Sequence, residues 1–220
     1  IAGMAFRIQA IIPSGFSLYE RCIYADYAGV QFDNWLTDKS DQMWVINGPG
    51  GIFESNQLLL VLQTMVPDFE TGDLQITVSL MKEGLKVGFW PDIKVSTWVP
   101  KNYGEYFEQR RRWERGSIKV LWTERRFYFK QFRDRRILAF YTALYLLFPA
   151  GIMAMPIVLA LQESPVIIFL EAMVIYYLFW TFVTISKCIM NPWTRRDGML
   201  LKACLWSFIG GFLFVCSTGP

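Results

Sequence analysis

Three consecutive arginines followed by a tryptophan, Arg110, Arg111, Arg112 and Trp113, are the residues of this chain best suited to chemistry. Arg binds phosphate oxygens through a planar fork of donors, often two oxygens at once. Trp offers a flat apolar face that can stack on a sugar ring and one N–H that can bond its edge. The segment therefore suits a ligand with a phosphate end and a sugar end. On composition alone, it could equally be a basic surface that binds anionic lipid headgroups.

A helix over residues 105–120 is predicted to carry these side chains. Helical spacing places four residues on one face, namely Gln109, Arg112, Trp113 and Gly116. Arg110 and Arg111 are turned away from that face, where they could reach phosphate or meet lipid headgroups, and headgroups are favoured. The basic surface continues over residues 125–136.

Two upstream segments could complete a site. Residues 43–46 are typical of a buried strand, and they lead into a glycine-rich turn at Gly48, Pro49, Gly50 and Gly51. Glycine in such a turn lets the backbone approach a ligand closely, although a plain tight turn has the same pattern. Residues 73–82 are predicted to form a helix that Thr71 or Asp73 caps. A carboxylate at a helix start is stabilised in its ionised form, which suits a proton acceptor.

These segments together resemble the processive family 2 glycosyltransferases, the group of cellulose, chitin and hyaluronan synthases. Residues 109–113 match the Q-x-x-R-W signature in the QRRRW form usual in chitin synthases. Residues 47–53 are similar to the turn and strand that line the acceptor site. The Thr71-Gly72-Asp73 segment resembles the T-E-D or G-D-D motif, and Pro100 precedes the arginine motif as a proline does in the family. Four elements in order make the resemblance specific over about residues 3–118.

The resemblance implies a site as well as a reaction. Asp73 is the expected catalytic base. The donor diphosphate is expected to bind Gln109, Arg110, Arg111 and Arg112. The acceptor is expected to bind Trp113, Gly48, Pro49 and Gly50. The implied reaction moves a sugar from a UDP-sugar to the non-reducing end of a growing polysaccharide, with inversion.

The departures from the family pattern matter for the metal. Gly72 replaces the Glu of T-E-D, and Leu74 stands where some members carry a charge. The resemblance implies Mg²⁺ or Mn²⁺, but the family's D-x-D and uridine-binding segments precede the matched part. The chain is therefore expected to be the C-terminal portion of a longer enzyme, with no metal ligands in this segment.

Composition restricts the remaining possibilities. The chain lacks His, which excludes His-based triads and His metal sites among these residues. The four cysteines show no C-x-x-C spacing, so zinc and disulfide frameworks are not expected. A net charge of +3 is too small to suggest nucleic acid. Apolar residues make up 53% and collect after residue 136, so the chain divides into a cytosolic part and a membrane part.

Three apolar stretches, residues 138–161, 166–186 and 198–216, are predicted to span a membrane, the last being short enough to be re-entrant. The connection at residues 162–165 has no basic residue, whereas the next loop carries Lys187, Arg195 and Arg196. The positive-inside rule therefore places the catalytic part and the second loop in the cytoplasm of an integral membrane protein, with the plasma membrane as the expected location.

The predicted fold class is an α/β, GT-A-like glycosyltransferase portion, because strands and helices interleave before residue 100. Short strands are predicted at residues 4–9, 86–89 and 94–98. Residues 17–36 are predicted to form an aromatic, amphipathic helix that lies either on the membrane face or on a sheet.

The expected division is residues 1–100 for that portion, 101–136 for basic interface helices, and 137–220 for the membrane region. The predicted function is a processive polysaccharide synthase that also translocates its polymer, with UDP-sugar, polysaccharide and membrane lipids as partners. The alternatives are a non-processive, lipid-linked glycosyltransferase and a membrane transport or binding subunit.

Overall fold

A small mixed sheet organises the first half of the chain in the computed structural model, which describes residues 1–11, 18–39, 43, 45–65, 70–131 and 165–193. Strand β1 (Gly3–Ile11) lies at the centre. Strand β2 (Gly51–Phe53) pairs with it antiparallel, and strand β3 (Val87–Trp98) pairs with it parallel. The predicted strand at residues 4–9 is confirmed, and the small sheet with its helices fits an α/β, GT-A-like portion.

Strand β3 replaces the two separate strands predicted at residues 86–89 and 94–98. The register of β3 against β1 shifts between Phe6 and Arg7, which pair with Trp90 and Lys94. The three residues 91–93 are therefore extra on the β3 side. Pro91 begins this irregularity, and proline has no N–H to give to the ladder. The sequence predicted two strands because Pro91 interrupts the strand pattern, although the strand continues beyond it.

The predicted strand at residues 43–46 is wrong. Met43 and Val45–Asn47 are not part of the sheet, although Met43 and Ile46 are fully buried. The backbone N–H of Ile46 bonds the Thr77 hydroxyl at 2.9 Å instead of a neighbouring strand. A run of buried apolar residues therefore satisfied its backbone through a side chain, which strand periodicity does not reveal.

Six helices belong to the described residues: α1 (Leu18–Lys39), α2 (Ser55–Thr64), α3 (Gly72–Lys82), α4 (Tyr103–Thr123), α5 (Arg125–Gln131) and α6 (Pro165–Met190). Helices α3 and α4 confirm the predictions for residues 73–82 and 105–120. Helix α4 starts with a capping box, because Asn102 accepts from the Glu105 N–H at 2.9 Å and Glu105 accepts from the Lys101 N–H at 2.8 Å.

Helix α1 packs inside the protein. The sequence left open whether its aromatic residues would lie on a membrane face or on a sheet. Tyr27 and Phe32 are buried, and Gln31 donates to the carbonyl of Ile8 on β1. At the C-terminal end of α1, Asp38 accepts a hydrogen bond from the Phe89 N–H on β3 at 2.8 Å. Helix α1 is therefore a helix packed on the sheet.

Two apolar clusters hold these elements together. The larger one joins the sheet to α3 and α4, with Leu74, Val78 and Val120 among its buried members. The smaller one joins the far end of β1 to α1 and the start of α4, through Tyr27 and Tyr106. Helix α4 belongs to both clusters, so its position is fixed from both ends.

Helix α6 is attached to α1 by polar contacts at its C-terminal end. Lys187 pairs with Asp33 at 2.7 Å. The fully buried Asn191 donates to the Ala28 carbonyl at 2.8 Å and accepts from the Trp193 N–H at 2.9 Å. The Trp193 ring then meets Phe89 edge-on at 5.8 Å. The segment around Lys187 therefore lies against the α/β part.

The predicted membrane spans are not confirmed by the described helices. Residues 166–186 fall within α6, and no helix in the described ranges has the length and apolar run needed for a bilayer crossing. In the same helix Thr181 and Cys188 are buried, so part of its surface contacts protein. The predicted spans at residues 138–161 and 198–216 lie outside the described residues. The boundary predicted at residue 137, between the interface helices and the membrane region, lies outside them as well.

Substitution of Asn191 by Ala tests how α6 is attached. The change removes the donor to the Ala28 carbonyl, which keeps its bond within α1, and it leaves the Trp193 N–H unpaired in a buried setting. Such an unpaired group costs about 1–3 kcal/mol. We expect a clear fall in the melting temperature. Asn56→Ala, an exposed amide on α2, is the matched control and should change it little. Equal melting temperatures for the two variants would show that the Asn191 bonds do not hold α6.

Candidate functional site

The carboxylate of Asp73 meets the glycine-rich turn. One carboxylate oxygen of Asp73 accepts a hydrogen bond from the Gly48 N–H at 3.1 Å, and the other accepts from the Leu74 N–H at 2.8 Å. The turn itself is one 3₁₀ turn, Gly48–Gly50, with Gly48 and Pro49 exposed and Gly50 buried. Two residues that are distant in sequence, Asp73 and Gly48, are therefore brought into contact.

Helix α3 is positioned by a second link to the same turn. The hydroxyl of Thr77 donates to the Asp73 carbonyl at 2.7 Å and accepts from the Ile46 N–H at 2.9 Å. Thr71, the other predicted cap, makes no capping hydrogen bond with its side chain. Asp73 is therefore held by two backbone donors, and a carboxylate with about four acceptor positions keeps capacity for a further donor.

The arginine-motif helix is packed closely against the start of α3. A Cβ built on Gly116 of α4 would lie 2.5 Å from the methyl and 2.6 Å from the hydroxyl of Thr71. Only glycine at position 116 permits this distance between the helices. Gly116 is one turn after Trp113, and Thr71 is two residues before Asp73. The base candidate and the arginine motif thus belong to one local assembly.

Two members of the motif have the accessibility that a ligand contact needs. Arg112 is exposed, and Trp113 is half-buried. The ring of Trp113 is covered on one side by the Arg110 guanidinium, whose carbon lies 4.1 Å from the ring centre. Arg111 is exposed as well and makes only a loose pair with Glu108 at 3.7 Å.

Arg110 is placed differently from the sequence expectation. It was expected to turn away from Trp113 and to favour lipid headgroups, and that expectation is wrong. Its side chain is 7% exposed and forms an ion pair with Asp26 of α1. A guanidinium that is buried and already paired would have to give up this partner to reach a diphosphate, which argues against that role for Arg110.

Gln109 is also held by α1. A hydrogen bond joins the side chains of Tyr27 and Gln109, and burial raises the pKa of the Tyr27 hydroxyl. The Gln109 side-chain oxygen is buried and accepts no hydrogen bond from the described residues.

The carboxyl groups near Arg110 are affected mainly by burial. Burial raises the pKa of Asp26 above its ordinary value, and the neighbouring Arg110 charge opposes this shift. Burial likewise raises the pKa of Glu114, with Arg110 again opposing. The surroundings of Arg110 are therefore poorly hydrated, and electrostatic interactions are stronger there than in water.

An open cleft continues from Gly116 along α4. It has a volume of about 570 Å³ and is lined by Glu70, Arg115, Gly116, Ile118, Lys119 and Trp122. Trp122 is 66% exposed there, with the Arg125 guanidinium 5.2 Å from its ring centre. Its wall combines charged side chains with the apolar Ile118 and one indole.

Among the described residues, no three carboxylate or thiolate side chains lie close enough to hold a metal ion. The described residues therefore do not form a site for Mg²⁺ or Mn²⁺, and we derive no step through a metal.

Some of this assembly was missed by the sequence analysis. Asp26 and Tyr27 carry no local signal, because their partners on α4 are distant in sequence. The closeness of Thr71 and Gly116 is equally invisible in a linear pattern. The Asn102-x-x-Glu105 pattern is a signal that could have set the start of α4.

The family model described as glycosyl transferase family group 2 matches residues 30–185, which is more than half of the chain. That range includes the glycine-rich turn, Asp73 and the arginine motif. No curated protein sequence matches the chain.

Substitution of Gly116 by Ala tests the contact between α3 and α4. The new Cβ would overlap the Thr71 side chain, and overpacking of this kind costs about 1–3 kcal/mol. We expect a lower melting temperature and reduced sugar transfer. The double variant with Thr71→Ala should recover part of both, since it removes both overlapping atoms.

Gly72→Ala is the control, because its Cβ would meet nothing within 4 Å. A Gly116→Ala variant as stable and as active as the Gly72→Ala variant would contradict the close packing.

Proposed function

The chain belongs to glycosyl transferase family group 2, and we propose that it acts in a processive polysaccharide synthase. The proposed reaction moves a sugar from a UDP-sugar to the non-reducing end of a growing polymer, with inversion at the anomeric carbon. The observation that carries the proposal is the contact of the Asp73 carboxylate with Gly48, close to the helix of the arginine motif.

Asp73 is proposed as the general base. As the acceptor hydroxyl oxygen attacks the anomeric carbon, its proton passes to the Asp73 carboxylate, and the bond from that carbon to the UDP oxygen breaks. Attack from the side opposite the leaving group gives the inversion. The Gly48 and Leu74 N–H groups hold the carboxylate in place, so its orientation need not be found during the reaction.

The leaving diphosphate is proposed to meet the exposed guanidinium of Arg112, with Arg111 assisting. Two N–H donors aimed at phosphate oxygens stabilise the charge that develops as UDP leaves. Gln109, which is half-buried, is proposed to hydrogen-bond the donor or the acceptor through its side-chain amide. Arg110 was first expected to contact the diphosphate. Because its side chain is buried and paired with Asp26, we propose that it positions its neighbours in the motif instead.

The acceptor is proposed to stack on Trp113 and to pass over the turn formed by Gly48, Pro49 and Gly50. The exposure of Gly48 and Pro49 supports this, as does the absence of any side chain on Gly48 beside the carboxylate. The open cleft past Gly116 offers a continuation for a chain of several sugars. A site that accommodates more than one sugar suits processive elongation.

Membrane integration and translocation of the polymer are part of the proposal. Exposed apolar residues follow one face of α6, namely Val174, Ile175, Leu178, Phe179 and Phe182. Such a face is unfavourable in water, which supports a lipid or membrane-helix neighbour. Lys187 and Trp193 pack on the α/β part, which supports a cytoplasmic position for both that part and the segment around Lys187. The plasma membrane is the proposed location.

Mg²⁺ or Mn²⁺ remains the cofactor that we propose for the complete enzyme. Its role would be to bind the diphosphate as a Lewis acid. Among the described residues, no group of three carboxylates or thiolates would hold it.

Two alternatives are less well supported. A transport or binding subunit has no use for a carboxylate held against a glycine turn. A non-processive, lipid-linked glycosyltransferase would use the same base, but it gives no reason for Trp113 and the cleft beyond it. The sugar itself is open: the QRRRW form favours N-acetylglucosamine, while glucose and alternating polymers are possible products.

Product analysis tests the proposal. The purified full-length enzyme is given single UDP-sugars and pairs of them, and the products are sized and digested with specific glycosidases. We expect long polymers without accumulation of short intermediates. Single-sugar transfer to a lipid would instead favour the non-processive alternative, and no transfer from any UDP-sugar would contradict the proposal.

Substitution of Asp73 by Asn tests the base. Asn preserves the shape of the side chain and still offers an oxygen to the Gly48 N–H, but it cannot take a proton. We expect polymer synthesis to fall about 10²–10⁴-fold, while UDP binding and the melting temperature stay close to the parent values. Asp92→Asn, an exposed carboxylate on β3, is the control. Retention of more than about a tenth of the activity would exclude Asp73 as the base.

Substitutions of Arg112 and Trp113 test the division of labour between diphosphate and acceptor. Arg112→Ala should weaken UDP binding, and Arg112→Lys should recover little, because a point charge cannot reproduce the fork of donors. Trp113→Ala should leave UDP binding nearly intact but abolish elongation, and Trp113→Phe should retain part of it. UDP affinity and polymer yield are measured for all four variants.

Exposed residues outside the cleft provide controls for these variants. Arg126→Ala on α5 and Trp98→Ala on β3 remove the same side-chain types at exposed sites. If the basic surface only anchored the protein to lipid, Arg126→Ala would reduce activity as much as Arg112→Ala. Equal loss of UDP affinity in Arg112→Ala and Trp113→Ala would also defeat the proposed division.

A further inference from the structure

An ion pair between the buried Arg110 and the half-buried Asp26 connects α1 to the arginine motif. The Arg110 side chain is 7% exposed, and its guanidinium pairs with the Asp26 carboxylate. A guanidinium removed from water is tolerated only with a partner, and removal of one partner of a buried pair is strongly destabilising. Asp26 therefore fixes where the Arg110 side chain lies.

The guanidinium of Arg110 is also enclosed by two aromatic rings of its own helix. Its carbon lies 4.9 Å from the Tyr106 ring centre and 4.1 Å from the Trp113 ring centre. Tyr106 is four residues before Arg110 and Trp113 three residues after it, so helical geometry puts all three on one face. Each contact is a cation–π interaction, which is stronger where water is excluded.

This arrangement leaves the two faces of the Trp113 indole unequal. The face towards Arg110 is covered, so a sugar ring can stack only on the opposite face. The indole is also restrained in its rotation, because turning it would break the contact with a guanidinium that Asp26 holds. A stacking platform that is fixed before binding saves the cost of ordering it.

We propose that Asp26 and Arg110 are positioning residues that set the orientation of Trp113 for the acceptor sugar. The inference rests on the proposed function, since it assumes that Trp113 stacks on the acceptor. Neither residue touches the substrate in this account. Their effect is on acceptor binding, while the donor site around Arg112 is left unchanged.

The test replaces the ion pair by apolar side chains. Asp26→Asn alone would leave a buried, unpaired guanidinium and could fail to fold. The double variant Asp26→Leu with Arg110→Leu removes both charges, and apolar replacement of a buried pair is often neutral for stability. The matched control is the double variant Asp33→Leu with Lys187→Leu, which removes the other ion pair of α1.

The full-length enzyme is assayed with tetrasaccharides of N-acetylglucosamine and of glucose as acceptors, each with its UDP-sugar. For the Asp26 and Arg110 double variant we expect the acceptor KM to rise about tenfold. The KM for the UDP-sugar and kcat at saturating acceptor should stay within about twofold of the parent values. Arg110→Lys, which keeps the charge but not the flat guanidinium, should give an intermediate acceptor KM.

Trp113→Ala is assayed alongside to distinguish failure of the positioning role from failure of the stacking role of Trp113. If Trp113→Ala raises the acceptor KM while the double variant keeps the parent value, the positioning role is overturned and the proposed function stands. If Trp113→Ala leaves the acceptor KM unchanged, the stacking role fails and the inference fails with it. A fall in kcat and a rise in both KM values, equal to those of the control pair, would show a structural role only.

Discussion

The hydrogen bond from the Gly48 N–H to the Asp73 carboxylate is the contact on which the candidate site depends. It fixes the base candidate against the turn that would receive the acceptor. The same end of α3 is tied to Ile46 through Thr77 and packs under Gly116 through Thr71. Glycine is needed at position 116 for this approach. The first turns of α3 thus set the distance between the turn and the arginine motif.

Helix α1 has the complementary role of holding the motif from the other side. Its consecutive residues Asp26 and Tyr27 contact the consecutive motif residues Arg110 and Gln109. About two turns further along, Asp33 pairs with Lys187 of α6. A single helix therefore contacts both the site and α6.

The elements with strong local signals could be predicted from the sequence. Helices α3 and α4 follow from their periodicity and composition, and the glycine-rich turn follows from its composition. The strand predicted at residues 43–46 failed because buried apolar residues there bond a side chain of α3 instead of a sheet. The two short strands predicted after residue 86 are one strand, since an interruption at Pro91 resembles an end when pairing is unknown.

The residues of the candidate site could be predicted from the sequence, but the residues of α1 that hold them in place could not. Asp73 and Gly48 were named from motifs, and the structure brings them together. Arg110 was expected to face headgroups, because helix spacing alone cannot show that Asp26 of α1 covers it. Sequence patterns record neighbours along one helix. Contacts between α1 and α4 depend on tertiary packing, which no local pattern encodes.

The central claim is that one acceptor end lies between the Asp73 carboxylate and the free face of Trp113. A cryo-electron microscopy structure of the full-length enzyme with UDP and a bound acceptor oligosaccharide tests this most directly. The account predicts the terminal acceptor hydroxyl within about 3 Å of an Asp73 carboxylate oxygen. It also predicts a sugar ring on the Trp113 face opposite Arg110. An acceptor that lies away from Asp73, or a sugar in the place of the Arg110 guanidinium, would contradict it.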